Sequence, residues 1–420
     1  MFPFGKILLA MFMVLPSVIF NYFFWIVIFL VGMQYARVAK LQERMLGITS
    51  ISPMRMTISS LIYGFAGGII GSFIFILLGV TLTGAGISYV WPLAIFLMLV
   101  DVRFLCFSYA GGIVALSNLV FGLPKIGVPE LMALVAVLHM IESILIWLGG
   151  DENKVPVFLK DKKGQIMGGF ALQRFWPVPI VAMMVLPPEL AQLQDMARDM
   201  IKMPDWWPLI KSTISVPSGH ELVYAMFALP AALGYGDIAL ARMPGERSRI
   251  TSFHLLLFSL ILLCLAVASV KYPLLKYAAA IFSPLGHEAV IQVGRRMEFG
   301  RAPLFSQPVR GVRILDVVPG LPASRVGFAP GDIILSINGE RVDSSSDIMK
   351  VMGDPVPHYY IEAIHRGPDG SEKRVTKILP ADIEKLGIVF VPEPDETFYM
   401  EVMPDGILKR LIDRIRGGRK

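Results

Sequence analysis

Long apolar runs separated by short polar stretches dominate the part of the chain before residue 292. A run of about 18 to 25 apolar residues has the length that an α-helix needs to cross a bilayer. On this pattern we predict a membrane domain over residues 1–292 with about eight or nine spanning helices. The predicted spans are Ile7–Met33, Ile58–Val80, Tyr89–Val100, Phe104–Phe121, Leu131–Leu148, Trp176–Leu186, Val216–Leu233, Ser252–Val270 and Tyr272–Ile291.

Prolines and glycines leave two features of this pattern open. Pro16 divides the first run, which is either one long tilted helix or a short interfacial piece followed by a span. Pro187 interrupts the run that begins at Trp176, which likewise leaves the number of spans open at eight or nine. Gly67 and Gly71 have the spacing that lets another helix approach closely. That helix belongs either to this chain or to a second copy, which would make a homo-oligomer.

The charged residues fit a membrane protein rather than a nucleic-acid-binding protein. The chain is 55% hydrophobic and 17% charged, and its net charge is +6. Basic residues lie between and after the apolar runs, as the positive-inside rule expects, so nucleic acid is not an expected partner. These loops place the end of the last span, and everything after it, in the cytoplasm. Residues 293–308 hold Arg295, Arg296 and Arg301 and form a basic linker that would rest on anionic membrane lipids.

Two amphipathic segments are predicted to contact the membrane surface. Residues 189–214 alternate polar and apolar side chains before Trp206 and Trp207, which indicates a helix at the outer interface. Residues 396–420 form a basic amphipathic tail with apolar positions along one helix face. The tail lies either on the cytoplasmic leaflet or against the folded unit that precedes it.

At residue 311 short strands and turn signals replace the long apolar runs. A strand around Ile314 ends at a Pro-Gly turn, and Pro322 opens a short helix that Gly327 can close in the left-handed conformation. Asn338-Gly339 is the pair that a tight hairpin favours. The run VVPGLPASRVGFAPGDIILSINGERV resembles a PDZ domain of the bacterial, circularly permuted kind. The resemblance implies a PDZ-like domain over residues 309–395 with a groove for a chain end or an extended peptide.

The resemblance also implies where the groove lies. Asp343 or Ser344 can cap a helix at Ser345–Met352, which would form one wall. A strand that opens with a glycine-containing loop would form the other wall, and its amides would receive the ligand carboxylate. A plain closing strand is the alternative at this place. The candidate peptide-binding residues are Ile348, Met349 and Met352, which line the groove or face the core, and Leu386, Gly387 and Ile388.

The spacing of chemically reactive residues indicates no metal site, catalytic set or cofactor. Cys106 and Cys264 lie in apolar runs and give neither a disulfide framework nor metal-ligand spacing. His139 and Glu142 share one helix face, which allows a hydrogen-bonded pair. A metal or proton site there would need further ligands that the sequence does not identify.

An intramembrane zinc protease is the alternative function, because such proteases often carry PDZ domains. Their motif is His-Glu-x-x-His, in which two imidazoles bind zinc and the glutamate acts as base. His287-Glu288 is similar to the first half of that motif, but the fifth position is Ile291. A transporter-like or sensor protein is a further class that the apolar pattern leaves open.

The whole arrangement resembles the MinJ-type proteins of Gram-positive bacteria. The predicted fold is an α-helical polytopic membrane domain followed by a C-terminal α+β PDZ-like domain. The resemblance implies a non-enzymatic scaffold in the bacterial cell membrane with its PDZ domain in the cytoplasm. It also implies division-site partners similar to DivIVA and MinD, which the domain would recruit through peptide segments or C-termini.

Overall fold

The computed structural model describes residues 2–46, 52–160, 164–186, 201–211, 223–353, 356–366, 371–380, 386–394, 396 and 400–401. Helices make up most of the described part before residue 300. Their bounds are α1 Phe4–Val14, α2 Tyr22–Leu46, α3 Pro53–Leu78, α4 Leu82–Ala85, α5 Ile87–Met98, α6 Phe107–Phe121, α7 Val128–Gly149, α8 Pro244–Lys271 and α9 Leu274–Phe299, with 3-10 helices at Leu15–Phe20 and Val102–Leu105.

Four of the described helices are long and apolar enough to cross a membrane. They are the segment Tyr22–Glu43 of α2, and α3, α7 and α8. The segment Phe4–Phe20, α5 and α6 are apolar but shorter. Pro16 lies in the 3-10 helix that separates α1 from α2, so the first apolar run is divided. The described residues thus give four candidate spans, and the predicted eight or nine are not confirmed.

Two predicted spans, Trp176–Leu186 and Val216–Leu233, are wrong, because nearly all of their described residues lie in β-strands. Strand β1 is Val155–Lys160, β2 is Ile166–Val185 and β3 is Tyr224–Ala239. β2 is antiparallel to both neighbours, and its pairing with β3 extends from Phe170↔Ala239 to Val185↔Tyr224. A further short strand, β10 at Met400–Glu401, pairs with β1 in parallel. We call the antiparallel pair of β2 and β3 the ribbon.

Prolines within the ribbon explain why it is not helical. Pro177 and Pro179 would each remove a helix hydrogen bond and clash with the preceding turn. In β2 the neighbouring odd-numbered residues turn their N–H groups away from β3: Phe175 donates to the Tyr35 hydroxyl at 3.0 Å and Val181 to Ser72 Oγ at 2.7 Å. Because N–H direction alternates along a strand, both prolines occupy positions from which β3 receives no hydrogen bond. The pairing of β2 with β3 therefore loses no hydrogen bond at Pro177 or Pro179.

One face of α3 packs directly on this outer edge of β2. A Cβ added at Gly64 would lie 2.0 Å from the Pro177 carbonyl oxygen, and one at Gly68 would lie 2.1 Å from that of Pro179. Any larger residue would collide with backbone. Ser72, one turn further, accepts the N–H of Val181. The small side chains let the helix cover the part of this strand edge with which, among the described strands, β1 does not pair.

The other glycine face of α3 packs on α7. A Cβ at Gly67 would lie 3.0 Å from Ile141 Cγ2, and one at Gly71 would lie 2.1 Å from Ile141 Cδ1. The Gly67-x-x-x-Gly71 pattern therefore serves packing inside this chain, which was one of its two expected uses.

The C-terminal unit is a second sheet with one principal helix. The bounds of its elements are β4 Val312–Val317, α10 Pro322–Arg325, β5 Ile333–Ile337, β6 Glu340–Arg341, α11 Ser345–Met352, β7 His358–Arg366, β8 Glu372–Pro380 and β9 Ile388–Phe390. The strand order is β8-β7-β5-β4-β9, with β6 paired to β5. The hairpin and helix predicted from turn residues are confirmed: Asn338, Gly339 and Gly327 have φ of 53°, 82° and 80°.

This unit packs against the ribbon through the segment that was predicted to be a linker. α9 continues through Phe299, so part of residues 293–308 is helical. Phe305 is buried, and its carbonyl accepts the N–H of Gly168 in β2 at 3.0 Å. A Cβ added at Gly168 would lie 2.9 Å from Leu315 Cδ1 of β4. Residues 293–308 therefore contain folded structure that packs on the ribbon, rather than forming only the predicted basic linker.

Two predicted amphipathic segments fall largely outside the described residues. Most of residues 189–214 and the tail from residue 402 onward are not described. Within the described stretch 201–211, the Trp207 indole N–H donates to the Ile76 carbonyl of α3 at 2.7 Å. This tryptophan is thus held against the helical part of the protein.

Candidate functional site

The edge strand β9 is the first element of the candidate peptide-binding site. In the described sheet it pairs with β4 on one side, and no other described strand pairs with its second edge. An unpaired strand edge presents a row of N–H and C=O groups to which another extended segment can add.

The hydrogen bonds around β9 show which backbone groups face that open edge. The Gly387 carbonyl accepts the Val318 N–H at 2.8 Å, and the Val391 N–H donates to the Arg313 carbonyl at 2.9 Å. Both bonds point toward the β4 side. Because the direction alternates along a strand, the N–H and C=O groups of Ile388 and Phe390 point the opposite way. These groups are the ones available to an added strand.

Gly387 fixes how the chain enters β9. Its φ is 77°, in the left-handed region that glycine adopts without strain. An added Cβ would lie 2.5 Å from Leu321 Cβ, so a side chain has no room. The adjacent Leu386 carbonyl accepts the Ala323 N–H at 3.2 Å. The start of β9 is therefore held tightly against the turn that carries α10.

Helix α11 is positioned beside β9 by polar contacts at its N-terminus. Ser344 and Asp347 form a reciprocal capping box, which confirms Ser344 as the predicted cap. Accepting the backbone N–H groups of Asp343 and Ser344 lowers the pKa of Asp347. Glu393, just after β9, accepts both the N–H of Ser345 at 2.8 Å and its hydroxyl at 2.6 Å. The helix therefore begins next to the end of the edge strand.

The structure places the six candidate residues in three different settings. Ile348 is 2% exposed and belongs to the core of the PDZ-like unit. Met352, Leu386 and Ile388 are half-buried and pack against that same core. Met349 is 72% exposed on the surface of α11. Gly387 shapes the backbone as described above, and the role of all six in binding stays a prediction.

A buried carboxylate, that of Asp332, connects elements at the end of the sheet away from β9. Asp332 is fully buried, and Oδ1 lies 2.8 Å from His365 Nδ1 on β7. Its other oxygen accepts the Ala329 N–H at 3.1 Å and lies 3.5 Å from Lys377 Nζ on β8. Asp332 thus joins the turn before β5 to β7 and β8, at the end of the sheet away from β9.

Asp316 is next in β4 to Leu315, whose side chain lies close to Gly168 of the ribbon. Its pKa is raised, chiefly because burial disfavours the charged carboxylate, while the positive charge of Lys154 acts in the opposite direction.

A second grouping lies among the helices and was not found from the sequence. Cys106 Sγ is 3.0 Å from His139 Nε2 and 3.7 Å from His287 Nε2. The expected partner of His139, Glu142, is not its hydrogen-bond partner among the described residues; the His139 Nδ1 instead lies 2.7 Å from the Val135 carbonyl oxygen. The expectation that the cysteines have no metal-ligand spacing missed this arrangement, since its members lie far apart in the chain.

Glu288 does not join that grouping. It accepts hydrogen bonds from Arg103 at 3.0 Å, from the Tyr109 hydroxyl at 2.6 Å and from Gln292 at 2.7 Å. A general base in a zinc protease must reach the metal-bound water, whereas this carboxylate is engaged by three donors.

Comparison with known proteins agrees with the C-terminal fold. A PDZ domain family model matches residues 313–354, which run from β4 past the end of α11. The "Putative protease Do-like 14" of Arabidopsis thaliana is 32% identical over 83 residues, covering 20% of this chain and 17% of that protein. The "Probable periplasmic serine endoprotease DegP-like" of Hahella chejuensis is 32% identical over 85 residues, covering 20% and 18%. The likeness to these two proteases is at the level of the PDZ domain.

A longer match extends well beyond this domain. The "Cell division topological determinant MinJ" of Bacillus subtilis is 23% identical over 270 residues. The match covers 64% of this chain and 63% of MinJ, so the chain spans less than two thirds of that relative. The comparisons do not favour the zinc-protease alternative. The chain is therefore similar to MinJ over most of its length and carries a PDZ domain in its C-terminal part.

Proposed function

We propose that this protein is a non-enzymatic membrane adaptor that recruits cell-division proteins by binding their extended segments along β9. The observation that carries the proposal is the open edge of β9, where the backbone groups of Ile388 and Phe390 face away from β4. The similarity to a division topological determinant supplies the biological setting.

The geometry favours an extended peptide as the ligand. Strand addition derives affinity from main-chain hydrogen bonds and specificity from alternate side chains. A ligand that pairs with Ile388 and Phe390 would run between β9 and α11, where the exposed Met349 offers an adaptable apolar contact. A chain end would place its carboxylate near the amides that follow Leu386.

The four candidate spans support a role in anchoring the PDZ domain at the membrane. We propose that the PDZ domain lies in the cytoplasm, that basic residues near it contact anionic lipid, and that its partners include proteins similar to DivIVA and MinD. Each partner would contribute a flexible segment or a C-terminus, since a folded surface cannot add as a strand.

Backbone substitution at Ile388 tests the proposal in dividing cells. Proline at this position removes the N–H that faces the open edge but breaks no hydrogen bond to β4. Ile388→Ala is the matched control, because it shortens the same side chain and keeps the N–H. The fluorescently tagged full-length protein carries each change, and its distribution is imaged together with a tagged division protein.

The wild type and Ile388→Ala should concentrate at division sites and co-purify with division proteins, whereas Ile388→Pro should remain in the membrane without doing so. Limited proteolysis of all three proteins should give the same fragments, which separates lost binding from lost folding. Division-site localisation of an intact Ile388→Pro protein would contradict the proposal.

A further inference from the structure

We propose that Cys106, His139 and His287 form a Zn²⁺ site within the helical part of the protein. The three residues come from three places: Cys106 caps the N-terminus of α6, His139 lies in α7 and His287 lies in α9. Their ligand atoms all lie within 4.8 Å of one another. A thiolate and two imidazoles are ligands that zinc prefers in proteins.

The distances are close to those of a loaded site. Tetrahedral zinc with Zn–S of about 2.3 Å and Zn–N of about 2.0 Å separates sulfur from nitrogen by about 3.5 Å. Sγ of Cys106 is 3.0 Å from one imidazole Nε2 and 3.7 Å from the other. The two imidazole nitrogens lie within 4.8 Å of each other, so the imidazoles would have to turn toward a common ion to bind it.

The tautomer of His139 suits coordination. Its Nδ1 lies 2.7 Å from the Val135 carbonyl oxygen, which can only accept, so Nδ1 carries the proton. The lone pair of Nε2 is consequently directed at Cys106. A histidine whose second nitrogen donates to a backbone carbonyl is the usual arrangement of a metal-bound imidazole.

Surrounding contacts hold the three ligands in place. Ser108 and Ser283 tie α6 to α9, since the Ser283 hydroxyl donates to the Ser108 carbonyl at 2.8 Å. The Phe258 ring packs edge-on against both imidazoles, with centroids 5.4 Å from His139 and 5.6 Å from His287. Tyr109 packs on the other side of His287 at 5.4 Å. These ring contacts fix the imidazole planes.

The site would fasten three helices together. Zinc binding replaces the Cys106 thiol proton, which is released to solvent, and joins α6, α7 and α9 through one ion. Helix α9 leads directly into the segment that packs the PDZ-like unit on the ribbon. The metal would therefore stabilise the helix that positions this unit. The proposal does not depend on the proposed adaptor function.

Metal content and cobalt spectra of the full-length protein test the site. The protein is purified in detergent through a tag that contains no histidine, and its zinc is measured by mass spectrometry. Apo protein is then titrated with Co²⁺, because a thiolate ligand gives a charge-transfer band and tetrahedral coordination gives intense visible bands. Cys264→Ala is the control, since this second cysteine is exposed on α8 and lies outside the grouping.

We expect one equivalent of metal in the wild type and in Cys264→Ala, and loss of the charge-transfer band in Cys106→Ala. His287→Cys should keep one equivalent and intensify that band, an outcome that misfolding cannot produce. A wild-type protein that binds neither zinc nor cobalt stoichiometrically would overturn the proposal, leaving a thiol–imidazole hydrogen bond. A band that persists in Cys106→Ala, or that is lost in Cys264→Ala, would overturn it as well.

Discussion

Substitution of Gly68 by alanine tests whether α3 packs on the edge of a strand. The added methyl group would lie 2.1 Å from the Pro179 carbonyl oxygen and 3.1 Å from its carbonyl carbon. A carbon and a carbonyl oxygen normally approach to about 3.3 Å or more. Since the obstacle is backbone, the helix must withdraw from β2 by about 1 Å.

Two effects set the magnitude of the destabilisation. Forcing a methylene-sized group into a packed interior costs about 1 to 3 kcal/mol. Withdrawal also lengthens the bond of 2.7 Å between the Val181 N–H and Ser72 Oγ, and an unsatisfied buried donor costs about 1 to 3 kcal/mol. Better helix propensity of alanine returns up to about 1 kcal/mol. The net loss should be about 1 to 6 kcal/mol.

Gly32→Ala in α2 is the matched control, because its Cβ would meet only Thr57 Oγ1 at an ordinary 3.7 Å. Both variants of the full-length protein are heated in the same detergent, and the monodisperse fraction that remains is measured by size-exclusion chromatography. Gly68→Ala should lose its monodisperse form at a clearly lower temperature, whereas Gly32→Ala should match the wild type. Equal behaviour of the two variants would refute the packing of α3 on the ribbon.

Two further predictions concern the PDZ-like unit. Asp332→Ala should lower the stability of this unit by about 3 to 5 kcal/mol, since a fully buried carboxylate that pairs with His365 and Lys377 is lost. Denaturant unfolding of the full-length protein measures the change in free energy of unfolding. A loss below about 1 kcal/mol would contradict the proposed network of contacts. Burial raises the pKa of Asp316, so the folded state favours its protonated form and the wild type loses stability as pH rises above the usual aspartate range. Asp316→Asn should therefore unfold at a higher temperature than the wild type at about pH 8, and the difference in unfolding temperature should be smaller at about pH 4. A difference in unfolding temperature that does not change with pH would contradict the raised pKa of Asp316.

Local signals made most of the PDZ-like unit predictable. The helix Ser345–Met352 follows from a cap residue with a carboxylate three positions later, and the hairpin follows from Asn338-Gly339. Each of these elements is specified by residues close together in the chain. The pairing of β9 with β4 joins segments that are distant in the chain, so local signals could not indicate it.

The ribbon could not be inferred from hydrophobicity alone. Most residues of β2 are buried, because α3 and other elements cover it, so from Phe175 onward its sequence is a continuous apolar run rather than an alternating one. Such a run has the same pattern as a buried helix, and prolines are the distinguishing signal. Pro177 and Pro179, two residues apart, fit poorly in a helix but are harmless at strand positions whose N–H faces outward.

The Cys106 grouping shows a different limit. Cys106 is 33 residues from His139 and 181 residues from His287 along the chain. Motif searches find ligands that a single helix or turn brings together, such as a His-Glu-x-x-His pair. Here three separate helices supply one ligand each, so only their packing reveals the arrangement.

Photocrosslinking from α11 tests the central claim most directly. A crosslinking amino acid replaces Met349, which is 72% exposed beside the proposed groove, or Ile378, which is 50% exposed on β8 at the opposite end of the sheet. Dividing cells are irradiated, and captured proteins are identified by mass spectrometry. We predict that the Met349 position captures flexible segments of cell-division proteins and that the Ile378 position does not. Equal capture from both positions, or capture of no division protein from Met349, would contradict it.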